Sequence, residues 1–269
     1  MIKIGIIIDN YHLQFKVSEF LKYLKTIAKV KLYVEESYLL ISSKKSFDED
    51  IFFVKGRGEL ILVLVKQIEQ ETTIPIINPY KAIWYSINRF MNSVLLKKAG
   101  IPVPDFSLNC ENFPPRFNNY IVKNLIDQRN YAFNPIIKSE KNPTQIVDNR
   151  ALIELKERKG FLYYQKFIKS DWEYKVYGIG DDIYFYKQTP ILLNPNKLES
   201  RTKIDEISEL KEYAYKAMEV TGLKLTSIDF LKSEDDQFFL TDINSAPNFN
   251  YIKNGPKLVA DFLLKEAKK

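Results

Sequence analysis

The spacing of apolar residues changes along the chain, and each change marks an element. Ile4-Gly5-Ile6-Ile7-Ile8 is a continuous apolar run ending at Asp9, which is how a strand covered on both faces of a parallel sheet reads. Phe15, Phe20, Leu21, Leu24 and Ile27 then recur at helical spacing and predict a helix over 15–29. A strand near 31–42 follows. Asp50-Ile51-Phe52-Phe53-Val54 reads as a third strand ending in Lys55-Gly56-Arg57-Gly58. A helix over 59–71 and a strand over 74–77 complete a βαβ alternation, which predicts a parallel-sheet lobe over residues 1–86. Ligands of such sheets sit outside the carboxyl ends of strands, where Lys55 and Arg57 stand.

A helix over 87–99 contains Arg89 and stops at Gly100, a left-handed cap. Ile101-Pro102-Val103-Pro104 forces an extended segment. Strands over 119–123 and 131–138 and a helix over 149–157 make a middle region, 87–162. Residues 163–269 form a third. It opens on a strand over 161–168, followed by strands 173–179 and 183–187 about a turn at 180–182. A polar loop spans 190–203. The helix over 205–220 aligns Ile207, Leu210, Ala214 and Ala217 on one face. Two β-branched runs, Leu225 to Leu231 and Phe238 to Asn244, flank the polar turn Glu234-Asp235-Asp236-Gln237 and predict a hairpin. A helix over 256–268 ends the chain. No internal repeat is present.

The hairpin concentrates the chemistry. Asp242 and Asn244 are two apart on one strand, so they share a face, and Asp229 stands on its partner. Three oxygen donors converging from two strands suit a hard cation such as Mg²⁺, which usually also takes phosphate oxygens. Lys175 and Lys187 lie on neighbouring strand segments. Buried carboxylates beside lysines are costly without such a purpose, and the arrangement reads as a Mg-nucleotide site. The competing reading makes Asp242 and Asn244 ordinary strand-end residues in Asx turns, and Lys123 and Lys187 surface lysines.

Composition narrows the classes. At 269 residues and 45% hydrophobic, the chain supports a substantial core in two or three lobes. No apolar run reaches the roughly 18 residues that span a bilayer, and the first segment lacks a signal-peptide cleavage site. A single Cys110 excludes an internal disulfide and fits a reducing cytosol. With one His, His12, it also excludes a Cys/His zinc cluster. The net charge of +6 favours anionic partners. Its lysines are dispersed and no nucleic-acid motif accompanies them, so the charge equally describes a solvated surface.

Several segments, taken in order, resemble the ATP-grasp superfamily over nearly the whole chain. Asn88-Arg89-Phe90 and Leu95 to Pro104 resemble the entry to its central lobe. Tyr120-Ile121-Val122-Lys123-Asn124 is similar to its phosphate-binding lysine strand. Tyr164-Gln165-Lys166-Phe167-Ile168 resembles its hinge, and Asp242-Ile243-Asn244 its carboxylate-x-Asn motif. The resemblance implies an α/β fold: an N-terminal parallel-sheet lobe plus two lobes clasping ATP. It also implies a nucleotide site of Arg89, Lys123, Gln165, Phe167, Ile168 and Lys187, and metal ligands Asp229, Asp242 and Asn244. Lys138 competes with Lys123 for the strand lysine. The family's glycine-rich loop is absent, since Leu125 to Tyr131 contains none.

Within the superfamily two branches fit. Glu173 to Gly180, Lys187-Gln188-Thr189-Pro190 and the loop Lys123 to Asn130 resemble the inositol polyphosphate and diphosphoinositol-pentakisphosphate kinases. That branch implies Lys175 and Lys187 as catalytic groups. It adds a basic bowl of Lys55, Arg57, Arg129, Lys175 and Lys253 for a small polyanion, an inositol phosphate, with neither nucleic acid nor membrane as partner. The other branch is the glutamate-ligase type, which joins a carboxylate to an amine through an acyl phosphate. A protein that binds nucleotide or polyanion without turnover is the non-enzymatic alternative.

Overall fold

Three sheets, met in chain order, contain the described strands. The computed structural model describes residues 1–37, 47–109, 115–127, 135–137, 145–148, 161–194 and 196–269.

The first sheet has β1 (Lys3–Ile8), β2 (Lys29–Val34), β3 (Ile51–Lys55) and β4 (Ile76–Ile77) in the order β2-β1-β3-β4, with every pair parallel. Helix α2 (Ser18–Ile27) packs Phe20, Leu21 and Leu24 on one face against Ile4, Ile6 and Ile8. Helices α3 (Glu59–Glu71) and α4 (Tyr80–Ile87) cover the other face through Ile61, Val65, Ile83 and Ile87. Both faces are thus covered, as the unbroken apolar strands require. The expected helix over 15–29 is observed as α2, over 18–27. A short α1 (Asn10–Phe15) starts where Asp9 accepts from the His12 N–H at 2.8 Å, and Phe15 is 65% exposed rather than part of the apolar face.

The second sheet, in the order β5-β9-β6-β8-β7, joins β5 (Phe106–Asn109), β6 (Tyr120–Asn124), β7 (Pro135–Ile137), β8 (Gln145–Asp148) and β9 (Leu162–Lys166). β9 runs antiparallel to both β5 and β6, so this sheet continues through Lys166, past the expected boundary at 162. The expected helix over 87–99 begins as the end of α4. It breaks at Asn88, an extended residue whose side chain caps α5 (Arg89–Lys98) by accepting from the Met91 N–H at 3.0 Å. The helix expected over 149–157 lies outside the described residues.

The third sheet is antiparallel throughout: β10 (Glu173–Ile179), β11 (Asp182–Gln188), β12 (Thr202–Lys203), β13 (Leu225–Lys232) and β14 (Phe238–Asn244), in the order β12-β11-β10-β13-β14. One face buries Val176, Phe185, Ile228, Phe230 and Ile243 against Leu210, Ala214 and Ala217 of α6 (Ser208–Thr221). Each fully buried side chain of this size contributes about 1.5–3 kcal/mol by leaving water. α6 ends at Gly222, whose φ of 75° only glycine adopts freely. On the opposite face, Tyr177, Ile179 and Tyr186 join α2 and α7 (Gly255–Glu266) in a shared core. The rest of that face, mostly polar but including Leu231, lines the cleft shared with the second sheet. Among the described residues no helix is long and apolar enough to cross a membrane.

Candidate active site

Strand register assembles the polar face. Lys175 pairs with Asp229 across β10–β13, and Asp229 pairs with Asp242 across β13–β14. Directly opposed residues share a face, so the three side chains form one row over three strands. Asn244 stands two pairs along, on the same face, opposite Ser227. A β-bulge in β14 makes this possible. Asp229 faces Asp242 while the next residue, Phe230, faces Leu240, leaving Thr241 as the extra residue. Leu240 and Ile243 both point into the helix-covered core, an interval that strict alternation forbids. The bulge resets the alternation and turns Asp242 and Asn244 toward the cleft.

Within the row, Lys175 donates to Asp229. Burial opposes its charge, but the Asp229 carboxylate, with Tyr177 and Glu173, outweighs burial and holds the ammonium above its ordinary value. Asp242 is the more open carboxylate, 42% exposed against 17% for Asp229. Asn244 is fixed by its own turn, its Oδ1 accepting from the Ala246 N–H at 2.9 Å.

The facing sheet contributes Lys123 and Gln165. Lys123 Nζ donates to Gln165 Oε1 at 2.9 Å, and Gln165 Nε2 reaches the Thr241 carbonyl at 3.3 Å, bridging β9 to the bulge. Between the sheets lies a cleft of about 310 Å³, the low end of the range for small-molecule sites. Its lining is mixed: Ile121, Phe167, Ile168, Ile191, Leu192 and Leu231 are apolar, while Arg57, Arg89, Lys123, Lys166, Asp229, Asp242 and Asn244 are charged or polar.

Arg89 links the charged lining to the first lobe. The segment after β6 meets the α4–α5 junction: the Arg89 N–H bonds the Leu125 carbonyl and the Asp127 N–H the Ile87 carbonyl. This brings the Arg89 guanidinium to Asp127 at 3.1 Å and Asp242 at 3.4 Å. Arg57 joins Asp127 from the other side at 3.0 Å, and its Nε is buried without a partner among the described residues. Asp127 is therefore a buried carboxylate between two guanidiniums. The sequence offers no local signal for it, because both partners arrive from distant segments.

Other expected site residues lie elsewhere. Lys187 pairs with Tyr174, one position off the Lys175 row, so it points to the opposite face and stacks on Trp172 at 4.5 Å. It does not meet Lys175, Asp229 or Asp242. Lys55 is 3% exposed and donates to the carbonyls of Ala246 and Pro247. Its ammonium is engaged with backbone rather than presented to a substrate. Burial lowers it to about 7. Lys253 is exposed on the turn before α7. Arg129 and Lys138 lie outside the described residues; Lys123 lines the cleft. Residues the pattern did not single out are Thr241 of the bulge, Asp127, and the pair Lys197–Glu173 at 3.2 Å on the cleft wall.

The donor set fits a hard cation: Asp229, Asp242 and Asn244 offer only oxygen, from one face of two paired strands. No group of three or more His, Cys, Asp or Glu among the described residues is placed to hold a metal by itself. Two carboxylates and an amide would share an ion with oxygen atoms of a bound ligand, the usual arrangement for Mg²⁺ with phosphates.

No protein-family profile matches the chain. A stretch of 55 residues, 20% of this chain, is 44% identical to the D-alanine–D-alanine ligase of Tolumonas auensis and spans 17% of that protein's length. Solved structures agree over nearly the whole chain. A RiPP-associated ATP-grasp ligase of Chryseobacterium gregarium, in complex with ADP and a leader and core peptide, gives a TM-score of 0.70 at 16% identity, covering 99% of this chain and 97% of that one. A D-cycloserine synthetase gives 0.70 at 12% identity, over 98% and 99%. A RimK-domain ATP-grasp protein of Sphaerobacter thermophilus gives 0.69 at 13% identity, over 97% and 99%. At these identities the agreement is one of fold.

Proposed function

We propose that this chain, which has the ATP-grasp fold, is an ATP- and Mg²⁺-dependent ligase that activates a carboxylate as an acyl phosphate and passes the acyl group to an amine or related nucleophile. A cleft lined by both apolar and charged side chains is the observation that carries this reading. Its apolar side chains suit a purine, with Phe167 and Ile168 at the hinge. Its charged ones suit a triphosphate, with Arg89 and Lys123 as cationic donors. Asp229, Asp242 and Asn244 would hold Mg²⁺, which when bound neutralises phosphate oxygens and orients them. In the first step a substrate carboxylate oxygen attacks the γ-phosphorus and ADP leaves. In the second the nucleophile attacks the acyl carbon and inorganic phosphate leaves. Both steps call on positioning and neutralisation of charge. Lys175, held charged by Asp229, adds a fixed cation to the row of proposed metal ligands.

The same geometry favours a ligase over the inositol phosphate kinase. A polyphosphate acceptor needs many uncommitted cationic donors. Lys55 is spent on backbone carbonyls and Lys253 stands on an exposed turn, which leaves Arg57, paired with Asp127 at the cleft wall, as the bowl residue of the first lobe at the cleft. Lys187 lies on the far face. The expected bowl is thus not assembled among the described residues, and the kinase resemblance finds no support among the proteins compared, which include a D-alanine–D-alanine ligase, a D-cycloserine synthetase and a ligase in complex with a leader and core peptide.

Hydroxylamine trapping tests the reading. Incubation with ATP, Mg²⁺, hydroxylamine and a panel of amino acids and acidic peptides is expected to yield a hydroxamate with matching ADP. Phosphorylation of inositol hexakisphosphate or a lower inositol phosphate, with no hydroxamate from any carboxylate, would return the chain to the kinase branch.

A further inference from the structure

We infer that Lys55 and Asn78, two buried residues of the N-terminal lobe, are positioning residues that set the Asn244 end of the metal site by gripping the backbone on either side of the β13–β14 pair. This rests on the assignment of Asp229, Asp242 and Asn244 as metal ligands. Lys55 ends β3 and Asn78 follows β4. Both therefore stand at carboxyl ends of neighbouring parallel strands, where an open sheet would ordinarily receive a ligand. Here they receive the turn that follows Asn244.

The grip is specific. Three successive carbonyls after Asn244 each accept from one of these two side chains. Asn78 Nδ2 bonds Ser245 O at 2.9 Å, and Lys55 Nζ bonds Ala246 O at 3.0 Å and also Pro247 O. Asn78 also holds the start of β13. Its Nδ2 bonds Leu225 O at 2.7 Å, and its Oδ1 accepts the N–H groups of Lys224 and Leu225 at 2.8 and 3.1 Å. One side chain thus spans the open end of the hairpin just beyond the Ser227–Asn244 pair. Asn78 is 1% exposed, so these bonds form out of water, where leaving a partner unpaired is expensive. The link to the ligand is short. The Ala246 N–H is the donor that orients Asn244 Oδ1, and the carbonyl of the same residue is held by Lys55. Moving the turn moves Asn244 relative to Asp229 and Asp242.

Residues behind metal ligands tune affinity by about 10- to 100-fold, which sets the expected effect. Mn²⁺ replaces Mg²⁺ as probe, with free Mn²⁺ read by electron paramagnetic resonance in the presence of ADP held below the protein concentration. Circular dichroism reports folding, and ADP binding in EDTA reports the nucleotide cleft alone. Lys55→Met and Asn78→Ser should fold and bind ADP in EDTA as the parent does, yet hold Mn²⁺ about tenfold or more weakly. Lys55→Gln, which keeps N–H donors, should recover part of the loss. Asp242→Asn separates the two levels of the argument. If it releases Mn²⁺ while folded Lys55→Met and Asn78→Ser hold it normally, the positioning role is overturned and the ligand assignment stands. If Asp242→Asn also holds Mn²⁺ normally, the ligand assignment itself fails. If neither Lys55→Met nor Asn78→Ser folds, the two residues are scaffold, and a role directed at the metal is overturned. If only one folds, its Mn²⁺ affinity decides.

Discussion

Two sheet rims bring charged side chains together, and they differ in what those side chains do. At the carboxyl ends of the parallel strands, Lys55 donates to two carbonyls. Glu35 accepts from the N–H groups of Leu60 and Ile61, Glu36 from that of Asn10, and Asp9 from His12. On the open face of the antiparallel sheet, Asp242 keeps 42% of its side chain exposed and lines a cleft shared with Lys123 and Arg89. The first rim has the charge of a binding site with its hydrogen bonds consumed inside the fold. The second keeps access to a ligand. Charge at a place where folds commonly bind ligands therefore marks a site only when access remains.

The comparison can be broken most severely at Asp242. Asp242→Asn is expected to lower ATP-dependent turnover by about 100-fold or more, as loss of several kcal/mol of metal-borne stabilisation implies. Steady-state assays with intact circular dichroism check this, and near-parental turnover would contradict it. Next comes Arg89→Met, which removes one of the two guanidiniums at Asp127 and leaves Arg57 in place. Breaking a buried ionic cluster from one side costs about 3–5 kcal/mol, so the urea midpoint should fall clearly. A change below about 1 kcal/mol would show that the cluster is solvated.

The consumed rim has a pH signature. Burial holds Lys55 at about 7 in the folded chain against its ordinary 10.5. Between these values the unfolded chain binds a proton that the folded chain does not, so stability gained through this group rises with pH across the window and is flat below about 7. The stability of the parent relative to Lys55→Met should therefore increase from pH 7 to pH 9. No change across this window would mean that Lys55 is held as the charged form. The smallest effect is expected at Lys187. Its stacking on Trp172 is worth about 1 kcal/mol, and Lys187→Met should leave turnover unchanged. A large loss of turnover would return Lys187 to the site.

Much of the hairpin face was legible because it depends on local alternation: Asp242 and Asn244 follow from their spacing, and Asp229 from the neighbouring run. Lys187 shows how little misjudgement suffices. A three-residue turn at 180–182 would set Lys187 opposite Lys175. The actual loop, Gly180-Asp181, pairs Ile179 with Asp182 and moves Lys187 by one position, which reverses its face. Thr241 is a bulge residue that neither glycine nor proline announces. Lys55 read as a substrate contact because its partners, Ala246 and Pro247, lie nearly two hundred residues later. Asp127 was hidden for the same reason, since its two guanidiniums come from β3's end and α5. What the chain discloses locally is which face a residue takes; which distant group consumes it is settled only by packing.

The central claim, that the cleft between the second and third sheets is a metal–nucleotide site, is tested most directly by calorimetric titration of ADP with Mg²⁺ and with EDTA, on the parent and on Asp242→Asn. The account predicts that Mg²⁺ tightens ADP binding to the parent by at least about tenfold, and that Asp242→Asn binds ADP equally with and without it. Mg²⁺-dependent binding that survives Asp242→Asn unchanged, or no ADP binding by the parent at all, would contradict it.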